Sequence, residues 1–136
     1  MDFDKLKELK TGIPGFATEI GIEFIDLKEG YAKMRMPIKK MHKNPLGTVH
    51  GGASFSLADT VGGFAAITRG RYVTTVTGSV NYLNPATQVE ELIGEAREIK
   101  AGRNICVYEV TVTDELGNII MVSTLTYYYL DKKVVI

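Results

Sequence analysis

Residues 44–66 read NPLGTVHGGASFSLADTVGGFAA, and the fold turns on this stretch. From Gly51 to Ile67 it is small and apolar with some hydroxyls, and Asp59 is its one ionisable side chain. Length and composition suit a helix of about five turns. Gly62 and Gly63 oppose that by about 1 kcal/mol each relative to Ala. Interior glycines are tolerated where a helix packs very closely against something else. A helix with almost no charged face is buried on most sides. The sequence therefore predicts a central helix over 50–67.

Working outward, residues 2–10 place Phe3, Leu6 and Leu9 at helical spacing among charges, which predicts a short amphipathic helix within 1–12. TGIPGF (11–16) breaks it with two Gly and a Pro. Residues 18–27 and 30–37 read as two strands joined by a KEG turn, and 38–49 as a loop with Pro45 and Gly47. After the central helix come four strand-like runs, 72–84, 91–101, 104–114 and 118–130, separated by turn residues. In the third, Cys106, Tyr108, Val110 and Val112 fall on one face, whereas ELIGEAREIKA (91–101) alternates less cleanly. Helix, two strands, long helix, four strands is an α+β order. It fits an antiparallel β-sheet wrapped around one central α-helix.

The 136 residues suit one domain over 1–136, with a core that needs no staples. Apolar residues make up 45% and charged residues 24%, ordinary for a globular protein. Sixteen basic and sixteen acidic residues cancel, so a nucleic-acid or anionic-membrane partner has no support. One cysteine, Cys106, excludes an internal disulfide. The charged start MDFDKLKELK lacks the apolar run of a signal peptide, and a cytoplasmic protein is expected.

A carboxylate in a buried helix is either well satisfied or functional, and the pattern alone leaves both readings of Asp59 open. His50-Gly51-Gly52 stands where the helix should begin. Helix N-termini present free N–H groups, and glycine admits a ligand close to the backbone. Such a terminus can polarise a carbonyl, although a plain loop-to-helix junction looks the same in sequence. Gly51 and Asp59 are eight residues apart, about 12 Å along a helix. Within one subunit they do not easily meet the same small reacting group. Two antiparallel copies of the helix lying side by side could bring them together, so if both are catalytic the sequence hints at a site shared between subunits. Other templates fail: GASFS lacks the final Gly of a serine-hydrolase elbow, and there is no phosphate loop. The two His and one Cys are scattered and make no metal cluster. Cys106 reads as core, His42 as a solvated loop residue, and Tyr127 to Tyr129 as sheet residues.

Asn44, Gly47, His50-Gly51-Gly52 and Leu57-Ala58-Asp59 together resemble the hotdog-fold acyl-CoA thioesterases, and more closely their PaaI-like, phenylacetate-degradation branch. VNYLNPA (80–86) and the two final strands extend the resemblance over roughly residues 13 to 130. It implies a hotdog fold, homodimers that pair into homotetramers, and an active site at the dimer interface. It implies that Gly51 offers its N–H to the thioester carbonyl. Asn44 would place the thioester or water, and His50 would support the loop. Asp59 of the partner subunit would act as general base or as nucleophile. Thr75 falls where relatives place a hydroxyl near the attacking water. The resemblance implies no metal and no separate cofactor, coenzyme A entering only as part of the substrate. Gly52, Phe55, Tyr82, Lys100 and Arg103 are the expected substrate and CoA contacts, with Arg69 and Arg71 as further cations. Met41 and the Gly62–Gly63 pair are further candidates for shaping the acyl pocket.

Two rival functions share the fold. A hotdog enoyl-CoA hydratase needs an Asp–His dyad, and the position two before Asn44 holds His42 instead. A non-catalytic acyl-CoA-binding module gains little from a carboxylate beside a thioester. A third reading makes Asp59 purely structural.

Overall fold

The computed structural model describes residues 1–11 and 15–136. Helix α1 (Phe3–Thr11) and the single turn α2 (Phe16–Glu19) precede strands β1 (Glu23–Lys28) and β2 (Tyr31–Pro37). A 3₁₀ turn (Lys40–His42) leads to α3 (Gly51–Ile67), and four strands follow: β3 (Arg71–Tyr82), β4 (Glu91–Ala101), β5 (Ile105–Asp114) and β6 (Ile119–Lys133). The strands form one antiparallel six-stranded sheet in the order β1-β2-β4-β5-β6-β3. The sheet curls around α3, which touches all six strands.

The expected first strand, 18–27, starts too early. Residues 16–19 are helical, Gly21 reverses the chain at φ +85°, and β1 begins at Glu23. The KEG turn is present, with Gly30 at φ +70°. Of the expected break at 11–16, residues 12–14 lie outside the described part.

Alternation explains most of the sheet. In β5, Cys106, Tyr108, Val110 and Val112 are buried, as their period of two demands. The poorer pattern of β4 has a steric cause. Its inner face is Leu92, Gly94 and Ala96, and a Cβ at Gly94 would stand 3.1 Å from both Leu57 Cγ and Val61 Cγ1. The helix lies so close here that large apolar residues do not fit.

Helix α3 buries Leu57, Ala58, Val61, Ala65 and Ala66 completely, and each of Leu57 and Val61 contributes about 1.5–3 kcal/mol. Within one chain its burial is one-sided, so the expected enclosure on most sides is met here only on the face toward the sheet. Gly52, Ala53, Ser56, Asp59, Thr60 and Gly63 remain partly open to solvent. At the C-terminus, Thr68 Oγ1 donates to the Ala65 carbonyl and accepts from the Gly30 N–H at 2.9 Å, tying the helix to the β1–β2 turn. Strand β3 is an edge, and Thr74 to Ser79 are exposed.

Candidate active site

The start of α3 is held by two histidines. His50 caps the helix: its Nδ1 accepts from the Gly52 N–H at 2.8 Å, and its carbonyl accepts from the Ala53 and Ser54 N–H groups. The His50 N–H in turn donates to the His42 carbonyl at 2.8 Å. His42 is 3% exposed, which corrects its reading as a solvated loop residue. Its Nδ1 accepts from the Lys39 N–H at 2.9 Å, and Nε2 lies 2.7 Å from the Ile20 carbonyl. Burial of a polar ring is compensated by these two bonds.

A helix start has four N–H groups without intrahelical partners. His50 takes those of Gly52 and Ala53, and the His42 carbonyl takes that of His50 itself. The Gly51 N–H alone has no acceptor among the described residues. The Tyr82 hydroxyl donates to the Gly51 carbonyl at 2.8 Å, and a Cβ at Gly51 would stand 3.2 Å from the Tyr82 ring. One donor is thus left free at the positive end of the helix dipole.

Asp59 lies two turns further on, about 12 Å along the axis. Its Oδ1 accepts from the Thr75 hydroxyl at 2.8 Å. The Tyr127 hydroxyl lies 3.3 Å from the same oxygen and donates to the Asp59 carbonyl at 3.0 Å. Among the described residues Oδ2 has no hydrogen-bond partner. The carboxylate is therefore fixed through one oxygen and available through the other. Burial, with the Asp59 charge beside it, raises the Tyr127 phenol far above its ordinary range, so it stays a donor.

The other expected site residues are spread out. Asn44 organises its own turn: Nδ2 donates to Thr48 Oγ1 at 2.8 Å, and Oδ1 accepts from the Leu46 N–H at 3.0 Å. Phe55 packs into the junction of α3 and β3, and its ring would stand 3.2 Å from a Cβ on Gly78. Tyr82, with Val49, Ser54 and Ile120, lines a cavity of about 340 Å³ on one side of the helix start. On the other side Phe16, Ile20, Met41, Ala53 and Ser56 line a mostly apolar hollow of about 410 Å³. Met41, Tyr82, Phe55 and Gly62 therefore do not converge on one pocket.

Lys100 and Arg103 are exposed around the β4–β5 turn and take part in no ion pair among the described residues. Arg71 points into the same region, bonding the carbonyls of Leu130, Tyr129 and Arg103 at 2.9–3.2 Å. Arg69 is neutralised instead: it donates to Glu98 at 2.9 Å and to Glu29 at 2.6 Å. No group of three potential metal ligands occurs among the described residues, and no helix there is long and apolar enough to cross a membrane.

Tyr127 was missed as a contact of Asp59. The run Tyr127–Tyr129 conceals it, because period two sends Tyr127 and Tyr129 inward and Tyr128 outward. The strand pattern carries that inward direction but not the contact with Asp59.

A curled antiparallel sheet around one central helix is the hotdog arrangement. Residues 46–120 match the thioesterase superfamily. A putative esterase of Archaeoglobus fulgidus is 34% identical over 104 residues, spanning 76% of this chain and 68% of the relative. The acyl-coenzyme A thioesterase PaaI of Escherichia coli is 27% identical over 99 residues, 73% of this chain and 71% of the relative. The solved structure of the E. coli PaaI protein matches with a TM-score of 0.88 at 21% identity, covering 94% and 93% of the two chains, a likeness of fold. A Streptococcus mutans structure bound to acetyl CoA matches with a TM-score of 0.82 at 26% identity, covering 90% and 96%. The chain belongs to the thioesterase superfamily and is a thioester hydrolase of the PaaI-like type with the hotdog fold.

Proposed function

We propose that the protein hydrolyses acyl-CoA thioesters at a site completed by two copies of α3. Asp59 carries the reading: it is the sole ionisable side chain of a 17-residue helix, with Oδ1 held by Thr75 and Oδ2 left free. The free Gly51 N–H supplies the other half. It donates to the thioester oxygen, and that bond strengthens as negative charge develops there. Asp59 of a second copy takes a proton from water through Oδ2. The water oxygen attacks the carbonyl carbon, the C–S bond breaks, and the CoA thiolate leaves with the proton from Asp59. No metal and no resident cofactor are needed for this sequence of steps.

Several features support the shared site. Gly51 and Asp59 are too far apart on one helix to serve one carbonyl. The open face of α3 around Asp59 is made of small residues, Gly52, Ser56 and Gly63, which admit a second helix at close range. The long β3 edge leaves ladder groups that a second β3 can pair. Asn44 and His50 shape the loop that presents Gly51. The apolar hollow beside Ala53 and Met41 suits the acyl chain, and Lys100, Arg103 and Arg71 suit the CoA phosphates. The homologous structure bound to acetyl CoA supports the same ligand class. Free Cys106 suits the reducing cytoplasm. With both of its ring nitrogens bonded inside the fold, His42 offers nothing to a hydratase dyad.

The test is free-thiol release from a panel of aryl- and alkyl-acyl-CoAs, with wild type and Asp59→Asn side by side. Turnover of one acyl class that falls by roughly 10²–10⁴ in the folded variant is expected. Undiminished turnover in Asp59→Asn overturns the proposal. Binding of acyl-CoA by wild type with no turnover favours the binding-module reading.

A further inference from the structure

We propose that Tyr127 is a positioning residue for Asp59, and that Gly62 is glycine to let the Tyr127 hydroxyl reach it. The inference rests on Asp59 being the base proposed above.

Two buried phenols fasten α3 to the sheet. Tyr108 of β5 donates to the Ala65 carbonyl at 3.3 Å, and Tyr127 of β6 donates to the Asp59 carbonyl at 3.0 Å. Their rings meet edge to face, 6.3 Å between centroids. The two anchors differ in what they touch. Ala65 carries no chemistry, whereas the Tyr127 hydroxyl contacts both the main chain of Asp59 and, at 3.3 Å, its Oδ1. With Thr75 on the same oxygen, the carboxylate has one held oxygen and a defined rotamer. Oδ2 is then the reactive atom, and its direction is set by the sheet.

Gly62 gives this arrangement its clearance. A Cβ there would collide with the Tyr127 hydroxyl and stand 3.2 Å from its Cζ. Gly63, the next residue, meets only Tyr127 Cε1 at 3.9 Å, so the steric demand falls on Gly62 alone. The glycine that opposes the helix locally is the one that admits the phenol.

The side chains that touch the Asp59 carboxylate are neutral hydroxyls. Thr75 faces it from β3 and Tyr127 from β6, and α3 has no other ionisable side chain. Behind Tyr127 stand Cys106 and Tyr108 of β5, both raised by burial, and Tyr129 of β6 is raised likewise. Glu98 of β4, beyond Tyr108, is paired with Arg69.

Steady-state kinetics on Tyr127→Phe test this, with Tyr108→Phe as the structural control and Asp59→Asn as the check on the base. Tyr127→Phe keeps the ring and loses the donor. Its kcat should fall roughly 3- to 10-fold with KM unchanged, because the anchor on Asp59 is gone. Tyr108→Phe should leave kcat near that of wild type. Gly62→Ala should lower kcat in the wild-type background and add little to Tyr127→Phe, a non-additive cycle. Wild-type kcat in Tyr127→Phe, with Asp59→Asn inactive, overturns the positioning role alone. So do additive Gly62 and Tyr127 effects, or a fall in kcat shared equally by Tyr108→Phe. Turnover surviving in Asp59→Asn overturns the underlying base as well.

Discussion

Thr75 and Asp59 stand sixteen residues apart in the chain, and the Thr75 hydroxyl donates to Asp59 Oδ1 at 2.8 Å across the gap between β3 and α3. The bond aims a carboxylate that its own helix leaves free to rotate. Thr75→Val keeps the β-branched shape and removes the donor. A bond to a charged group contributes about 1.5–3 kcal/mol, and at this half-open position kcat should fall about tenfold. Thr75→Ser should retain most of it. Thiol-release rates on the three proteins decide; equal rates in Thr75→Val would remove Thr75 from the site.

His50 is the cap of α3, and its imidazole accepts from Gly52 where Asn or Ser is more usual. His50→Ala should lower stability by about 0.5–2 kcal/mol, and His50→Asn should restore most of that loss. Urea midpoints measure both. If activity follows stability through the pair, the role of His50 is to hold the loop.

Glu98 predicts an acid-sensitive element far from the chemistry. Arg69 donates to Glu98 and holds its carboxyl below the usual range. A depressed folded value contributes stability fully above the unfolded value of about 4.3, and that stability is lost as pH falls through the folded value. Glu98→Gln should therefore be less stable than wild type near neutrality. The gap should close as the pH falls below about 4. Denaturation midpoints at several pH values check the sign.

Lys100 and Arg103 are exposed cations without carboxylate partners among the described residues. Replacing both with Gln should raise KM for acyl-CoA by about 2- to 30-fold, taking 0.2–1 kcal/mol per exposed charge, and leave kcat unchanged. The effect should shrink at high salt. A KM that ignores both the substitutions and the salt would place the CoA phosphates elsewhere.

Much of this was legible because two signals were strong. The length and small apolar composition of residues 50–67 marked the helix, and the strict alternation of β5 marked the sheet. Failures fell where distant segments decide the outcome. His42 looks like a loop residue until Ile20, twenty-two residues earlier, brings its carbonyl to the ring. Residues 18 and 19 look strand-like, yet a local turn closed by the Glu19 N–H on the Gly15 carbonyl wins there. The irregular pattern of β4 is explained only by the helix pressing on Gly94. Nothing local to Tyr127 announces that its hydroxyl meets Asp59, because the meeting depends on a clearance at Gly62.

The free donor of Gly51 belongs to the main chain. Ordinary side-chain mutation can bend or crowd it but cannot delete it. Proline alone erases an N–H, and the first position of a helix is where proline is otherwise most welcome. One half of the proposed chemistry is thus carried by an atom common to nineteen of the twenty residues. The other half hangs on a single replaceable carboxylate. Drift should therefore silence this enzyme far more readily at residue 59 than at the N–H of residue 51.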